Sequence, residues 1–340
     1  MKKPDSSANL YEILEVSPRA RPEIVQAAYR ALMKIYHPDN GNSDGAMVRS
    51  INEAHAILGD PRKRKEYDGP AAELQPGAII GEYRIEKMIA EGGFGKTFLA
   101  THLVLGESVC IKDCSNIAPE YAGILLEEAK AVWDMRHFSL PAMRGLLKIS
   151  GGGFALVMSY IPGQTLSQII EKVGRLDPEH VAWIAERVLN ALKYLHFHGV
   201  IHGDIKPQNI IIQSDSHTVV LVDFGLSLVK PSCHSASKGF TECFAPPEEI
   251  AGSTLLPGSD FYSFGMTMLY ALGGGVESVR RKQVPRDVPD ALCSFIKRLI
   301  VHDVASRPQW KKEDLFETIQ EVRKQAFGRS RSNMKPIPGI

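Results

Sequence analysis

A small set of side chains in this sequence has the types and spacing needed to handle a phosphoryl group. Asp204, Lys206 and Asn209 crowd one polar loop, HGDIKPQN, between β-prone apolar runs. A carboxylate there orients a hydroxyl nucleophile and accepts its proton, a lysine stabilises a transferring phosphoryl group, and an amide oxygen binds a metal. The apolar run VVLV then delivers Asp223, a hard oxygen donor suited to magnesium, with Gly225 permitting the sharp turn beyond it. Upstream, Gly92, Gly93 and Gly95 lie between two strand-like runs, where the missing Cβ lets backbone N–H groups approach anionic oxygens. Such a turn by itself is an ordinary tight hairpin, so the reading rests on the ordered set. Lys112 closes the next apolar run, where a fixed ammonium neutralises phosphate charge.

These groups need elements to carry them. Tyr83, Ile85, Phe98 and the run Val109–Ile111 predict β-strands separated by glycine turns. A helix from about Tyr121 to Arg136 offers Glu127 and Glu128 to Lys112. Glu128 shares its face with Leu125 and Val132 and is expected inward, whereas Glu127 lies with Ala131 on the solvated side. The stretch ALKYLHFHG predicts a helix ending at Gly199, just before the Asp204 loop.

The first part of the chain has a different pattern. Ile24, Ala28, Leu32 and Ile35 predict one apolar stripe on a helix from Pro22 to Tyr36, stopping before Pro38. Val48, Ile51, Ala54 and Ile57-Leu58 predict a second helix ending at Gly59, and Asp60-Pro61 opens a short basic helix to Tyr67. The two longer helices form an antiparallel pair flanking an exposed loop that holds His37-Pro38-Asp39.

Composition bounds the rest. The chain has 340 residues, 44% apolar and 23% charged, which fits folded globular domains and excludes pervasive disorder or a fibrous architecture. A formal charge of +1 gives no global attraction to nucleic acid or acidic membranes. Nothing approaches the ~18 apolar residues of a membrane-spanning helix. The polar start after Met1 lacks the apolar stretch of a secretory leader, so a cytoplasmic location is expected. Cys110, Cys114, Cys233, Cys243 and Cys293 are scattered and expected as reduced thiols. Punctuation divides the chain into a polar tail (1–8), a helical domain (9–68), a Gly/Pro/Ala-rich linker (69–80), a large domain (81–325) and a basic tail (326–340) expected to be disordered.

Residues 9–68, with NLYEILEVSPRARPEIVQAAYRALMKIYHPDN followed by INEAHAILGDPRKRKEYD, resemble the J domain of DnaJ-type co-chaperones. The resemblance implies that His37, Pro38 and Asp39, with Arg30 and Lys34 on the preceding helix, dock on a DnaK-type heat-shock chaperone and stimulate its ATPase. Gln26 and Ala27 stand where the family commonly carries lysines, which weakens electrostatic steering. Neither a Gly/Phe-rich segment nor a cysteine-rich zinc module follows.

Residues 81–325 resemble the protein-kinase family, on the ordered landmarks above together with Ala245-Pro246-Pro247-Glu248, SDFYSFG and ASRPQW. The implied fold class is α+β: a two-lobed domain with a β-rich N-lobe (about 81–158) and a helical C-lobe (about 162–325), preceded by the small all-α J domain. The implied cofactors are ATP and Mg²⁺, and the implied partners are protein substrates. Asp204 would position the hydroxyl, Lys112 would hold the non-transferred phosphates and pair with Glu128, and Asn209 and Asp223 would hold magnesium. Ala90 stands at the first glycine position of the phosphate-covering loop, and Thr97 and Cys110 at positions around the adenine ring. Met158 stands at the gate of that pocket, with Tyr160 and Ile161 beside the purine edge. Glu248 would pair with Arg307, and Asp260 would brace the catalytic loop. Lys206, with Thr241 ahead of the Ala-Pro-Pro-Glu segment, matches the serine/threonine pattern. Gly203 stands where the family often has an arginine that pairs with a phosphorylated activation segment, so activity is expected to need little phosphorylation at Ser227, Ser232, Ser235, Ser237 or Thr241. Two other readings compete with an active protein kinase: a pseudokinase scaffold acting through its J domain, and a small-molecule kinase of the same fold.

Overall fold

The computed structural model describes residues 9–17, 20–36, 45–68, 74–92, 95–115, 129–130, 132–149, 153–214, 216–223, 241–329 and 337. The chain divides into two compact units, 1–107 with 111–119 and 145–157, and 108–110 with 120–144 and 158–340.

The first unit begins with helices α1 (Leu10–Ile13), α2 (Pro22–Tyr36), α3 (Gly45–Leu58) and α4 (Pro61–Asp68). The Asn9 side chain caps α1 by accepting the Tyr11 N–H, and Asp60 caps α4 by accepting the Arg62 N–H at 2.8 Å. α2 and α3 run antiparallel, since Gln26 meets His55 at 2.9 Å while Tyr29, one turn on, donates to Asn52 one turn back, also at 2.9 Å. Tyr29 also stacks on the His55 ring with centroids 3.8 Å apart.

The core here consists of Tyr11, Leu14, Val25, Leu32, Ile51, Ala54 and Leu58, with Tyr29, Met33 and Tyr36 packed against it. This corrects the expected α2 stripe: Ile24 and Ile35 are 54% and 61% exposed. Apolar spacing of three to four fits two faces of α2. The face carrying Val25, Tyr29, Leu32 and Tyr36 wins because its rings bury more area while their hydroxyls stay hydrogen-bonded or wet.

A six-stranded sheet follows, β1 (Ile79–Ile80), β2 (Tyr83–Gly92), β3 (Gly95–His102), β4 (Ser108–Asp113), β5 (Met143–Ile149) and β6 (Gly153–Ser159), in the order β1-β2-β3-β4-β6-β5. The far end of the expected linker is therefore strand, with Ile80 opposite Tyr83. β2 and β3 pair antiparallel down to Gly92 opposite Gly95, with register shifts between Ile85 and Lys87 and between Met88 and Ala90. Phe98 and Ala100 are buried at the two-residue period of a strand.

The second unit is mainly helical: α5 (Leu166–Val173), α6 (Pro178–Phe197), α7 (Thr241–Phe244), α8 (Pro247–Ile250), α9 (Pro257–Gly273), α10 (Val276–Arg281), α11 (Asp290–Leu299) and α12 (Leu315–Phe327). Between α6 and α7 lie a 3₁₀ turn at Pro207–Asn209 and the strands β8 (Ile210–Gln213) and β9 (Thr218–Leu221), which join β7 (Gln164–Thr165) in a three-stranded sheet. α9 is buried from Gly258 to Leu272, so it is packed on every side. A Cβ on Gly265 would come within 2.5 Å of the Ile300 side chain, which is why glycine stands at that helix contact.

Of the helix expected to reach Arg136, residues 129, 130 and 132 are helical and Trp133-Asp134 already turn, so it ends early. At the other end α12 continues to Phe327, and Arg329 forks onto Glu179 with both bonds at 2.8 Å. Ile337 is buried, unlike a residue of the disordered tail expected there. Among the described residues, no helix is long and apolar enough to cross a membrane.

Candidate active site

Asp204 lies on the loop between α6 and β8, and the loop is held by backbone bonds to one buried carboxylate. Asp260, in the first turn of α9, accepts the His202 N–H at 2.9 Å through Oδ2 and the Gly203 N–H at 2.8 Å through Oδ1. Burial pushes the Asp260 carboxyl upward, but the hydrogen bond from His196, with the Gly203 N–H, outweighs it and holds the group below its usual range. The fully buried His202 ring accepts the Asp204 N–H at Nδ1 (3.2 Å), which leaves Nε2–H to donate to the Val222 carbonyl at 3.1 Å. Burial lowers the proton affinity of this ring, so it stays neutral and holds that donor pattern.

Around Asp204 the polar groups sort themselves. Its Oδ2 meets Lys206 Nζ at 2.8 Å and accepts from Asn209 Nδ2 at 3.1 Å, and the same amide nitrogen donates to the Asp204 carbonyl at 2.8 Å. Oδ1 is the oxygen left to take a proton. Asn209, its nitrogen spent on Asp204, presents Oδ1 as an oxygen donor. The Val222 N–H donates to the Asn209 carbonyl at 2.8 Å, which brings Asp223 beside Asn209. Asp223 has φ +65, a left-handed conformation that a non-glycine residue holds only where its surroundings impose it. One carboxylate and one amide oxygen are a donor set that suits magnesium, which keeps several waters and phosphate oxygens of its own.

Gly203 is buried with φ +71, which glycine adopts freely. It leaves no cation at the position where the family often has arginine.

In the first unit, Gly95 has φ +113, and a Cβ there would lie 1.9 Å from the Asp113 carbonyl oxygen, so only glycine closes this hairpin against the end of β4. Ala90 lies opposite Thr97 on the same hairpin, and Gly92 ends β2. Lys112 is 4% exposed on β4, and a buried ammonium requires an anion. Thr97, Cys110, Met158, Tyr160 and Ile161 are partly buried. Gly93, Glu128 and Ser227–Ser237 lie outside the described residues, as do His37, Pro38 and Asp39. Arg30 and Lys34 are exposed on α2. Among the described residues, Cys110, Cys114, Cys243 and Cys293 are in no disulfide.

The expected Glu248–Arg307 pair is present as a two-pronged fork at 2.7 and 2.9 Å. Ser259 adds a bond to Glu248 at 2.6 Å. Sequence reasoning missed Ser259, and it missed His196, whose Nε2 lies 2.7 Å from Asp260 Oδ2. His196 is the first of the two histidines in HFHG, and the sequence does not say which of the two turns inward.

Comparison with known proteins finds two domain families in the chain. A model of the protein kinase domain matches residues 83–317, and one of the DnaJ domain matches residues 9–68. The chain is 32% identical over 288 residues to serine/threonine-protein kinase pkn3 of Myxococcus xanthus, covering 76% of this chain and 52% of that one. It is 28% identical over 253 residues to serine/threonine-protein kinase PknA of Mycobacterium tuberculosis (strain ATCC 25618 / H37Rv), covering 67% and 58%. With serine/threonine-protein kinase C of Synechocystis it shares 33% identity over 215 residues, covering 58% and 40%. The chain spans about half the length of the curated relatives it matches.

Proposed function

This chain belongs to the protein kinase family, and we propose that it transfers the γ-phosphoryl group of Mg-ATP to serine or threonine hydroxyls of other proteins. The observation that carries the proposal is the division of labour on Asp204. Lys206 and Asn209 occupy one carboxylate oxygen and leave the other to orient and deprotonate a hydroxyl. Lys206 sits where it also steadies the charge of a phosphoryl group in transit. Asn209 Oδ1 and Asp223 would hold the divalent ion, whose role when bound is to neutralise phosphate charge. Lys112, with Glu128 as its partner, would hold the non-transferred phosphates, and the Gly92–Gly95 hairpin would cover them. Met158, Tyr160 and Ile161, with Thr97 and Cys110, are the residues this reading assigns to adenine.

The test is transfer of radiolabel from γ-labelled ATP to a generic protein substrate, followed by phosphoamino-acid analysis. Label on serine and threonine in the wild type, absent from Asp223→Ala, is the expected result. Equal labelling by the two proteins would refute it. Because Gly203 offers no cation to a phosphorylated segment, phosphatase treatment is expected to leave the activity in place. Activity abolished by phosphatase and restored by rephosphorylation would overturn that part.

For the DnaJ domain we propose recruitment of a DnaK-type chaperone, bringing the kinase to the chaperone and its clients in the cytoplasm. Arg30 and Lys34 lie exposed on α2 for this contact, next to the segment holding His37, Pro38 and Asp39.

A further inference from the structure

The buried carboxylate that holds the catalytic loop is itself aimed by a chain of hydrogen bonds that begins at a tryptophan. Trp310, three residues after Arg307, donates its indole Nε1–H to His196 Nδ1 at 2.8 Å. An indole N–H is a donor only, so Nδ1 must be an acceptor and His196 carries its proton on Nε2. That Nε2–H faces Asp260 Oδ2 at 2.7 Å, and the side chains of His196 and Asp260 are each 1% exposed. Asp260 Oδ2 also accepts the His202 N–H, and Oδ1 accepts the Gly203 N–H. In the opposite tautomer the unprotonated Nε2 would point a lone pair at Oδ2, and the carboxylate would have to turn away from its backbone donors.

Phe261 fixes the stack from the side, edge-on to His196 at 5.5 Å and to Trp310 at 5.2 Å between centroids. The two rings therefore have little freedom to exchange partners. Every polar atom from the indole to the backbone of Gly203 has one compatible direction of donation.

We infer that Trp310 is a positioning residue for phosphoryl transfer: its N–H fixes the His196 tautomer, that tautomer aims Asp260, and Asp260 holds the two amides immediately before Asp204. This rests on the reading of Asp204 as the proton-accepting carboxylate. A tryptophan that only filled space against Phe261 would be replaceable by any ring of the same shape.

The experiment replaces Trp310 in the full chain with β-(3-benzothienyl)alanine, which keeps the bicyclic shape and puts sulfur in place of the N–H. Trp310→Phe serves as a second variant that removes both. Three readouts are compared with the wild type: the ¹⁵N signals of His196, amide exchange at His202 and Gly203, and kcat against KM for ATP. The expected result for the benzothienyl variant is a mixed His196 tautomer and exchange at His202 and Gly203 faster by about tenfold, as befits one lost buried hydrogen bond. A fall in kcat of about tenfold is expected with KM for ATP within about twofold. Unchanged exchange at His202 and Gly203, or a shifted tautomer with unchanged kcat, would overturn the proposal. Should the wild type itself transfer no phosphate, the reading of Asp204 fails, and the exchange rates alone still decide whether Trp310 positions the loop.

Discussion

Replacing Arg307 with lysine keeps the charge and most of the length but removes the fork. The side chain of Arg307 is 0% exposed, and all of its guanidinium N–H groups are engaged. Nε donates to the Val301 carbonyl at 2.7 Å, Nη1 to Glu248 Oε1 and the Gly258 carbonyl at 2.7 and 2.9 Å, and Nη2 to Glu248 Oε2 and the His302 carbonyl, both at 2.9 Å. The Tyr262 ring lies 4.8 Å from the guanidinium carbon. An ammonium brings about three donors against the guanidinium's five, so at least two acceptors lose their partner. Each buried acceptor left unpaired costs about 1–3 kcal/mol, giving a loss of about 2–6 kcal/mol in all. For a unit of this size that corresponds to a fall in Tm of about 4–24 °C. Trp133, Trp183 and Trp310 all lie in the second unit, so a tryptophan-fluorescence melt follows that unit alone. Arg175→Lys, at the exposed pair with Asp287, is the control and should leave Tm unchanged. A Tm for Arg307→Lys equal to the wild type would refute the reasoning, because it would mean the fork contributes nothing that a point charge does not.

Other outcomes follow from the same geometry. Gly95→Ala must leave φ +113 or move the end of β4, and it should weaken ATP binding at least tenfold in a calorimetric titration, a loss of at least about 1.4 kcal/mol; wild-type affinity would contradict this. Stability should fall as the medium is acidified. His202, fully buried, and His137, partly buried, resist protonation because they are desolvated, whereas in the unfolded chain they take up protons below about pH 6.5, so the unfolded state binds more protons there and gains. Asp260 and Glu248, held below the usual carboxylate range, add a second loss as pH drops through about 4 and then through their folded values. A Tm of the second unit that rose between pH 7 and pH 5 would show the sign to be wrong. In the DnaJ domain, His37→Gln should abolish stimulation of a DnaK-type ATPase while autophosphorylation continues, and normal stimulation would make the loop merely structural.

The parts legible in the sequence are those whose chemistry is local. Asp204, Lys206 and Asn209 lie within one loop, and their mutual bonds need no knowledge of distant packing. In the sequence Gly95 reads as opening the backbone to anionic oxygens, and the structure adds another reason for glycine there, the Asp113 carbonyl 1.9 Å from where a Cβ would lie. The parts that were not legible depend on which helix faces meet. The α2 stripe was misplaced by one position because Ile24 and Val25 satisfy the same periodicity, and only the neighbours on α3 choose between them. His196 and Trp310 are separated by 114 residues, and neither is distinguished by its spacing. Their bond exists because the C-terminal end of α6, the start of α9 and the segment after Arg307 converge on one buried carboxylate.

The most direct measurement is single-turnover phosphoryl transfer by Asp204→Asn, an isosteric change that keeps the loop bonds but removes the proton acceptor. The account predicts ATP affinity close to wild type and a transfer rate reduced by about 10²–10⁴-fold. Transfer at the wild-type rate would contradict it, since no other group on that loop is left to take the hydroxyl proton.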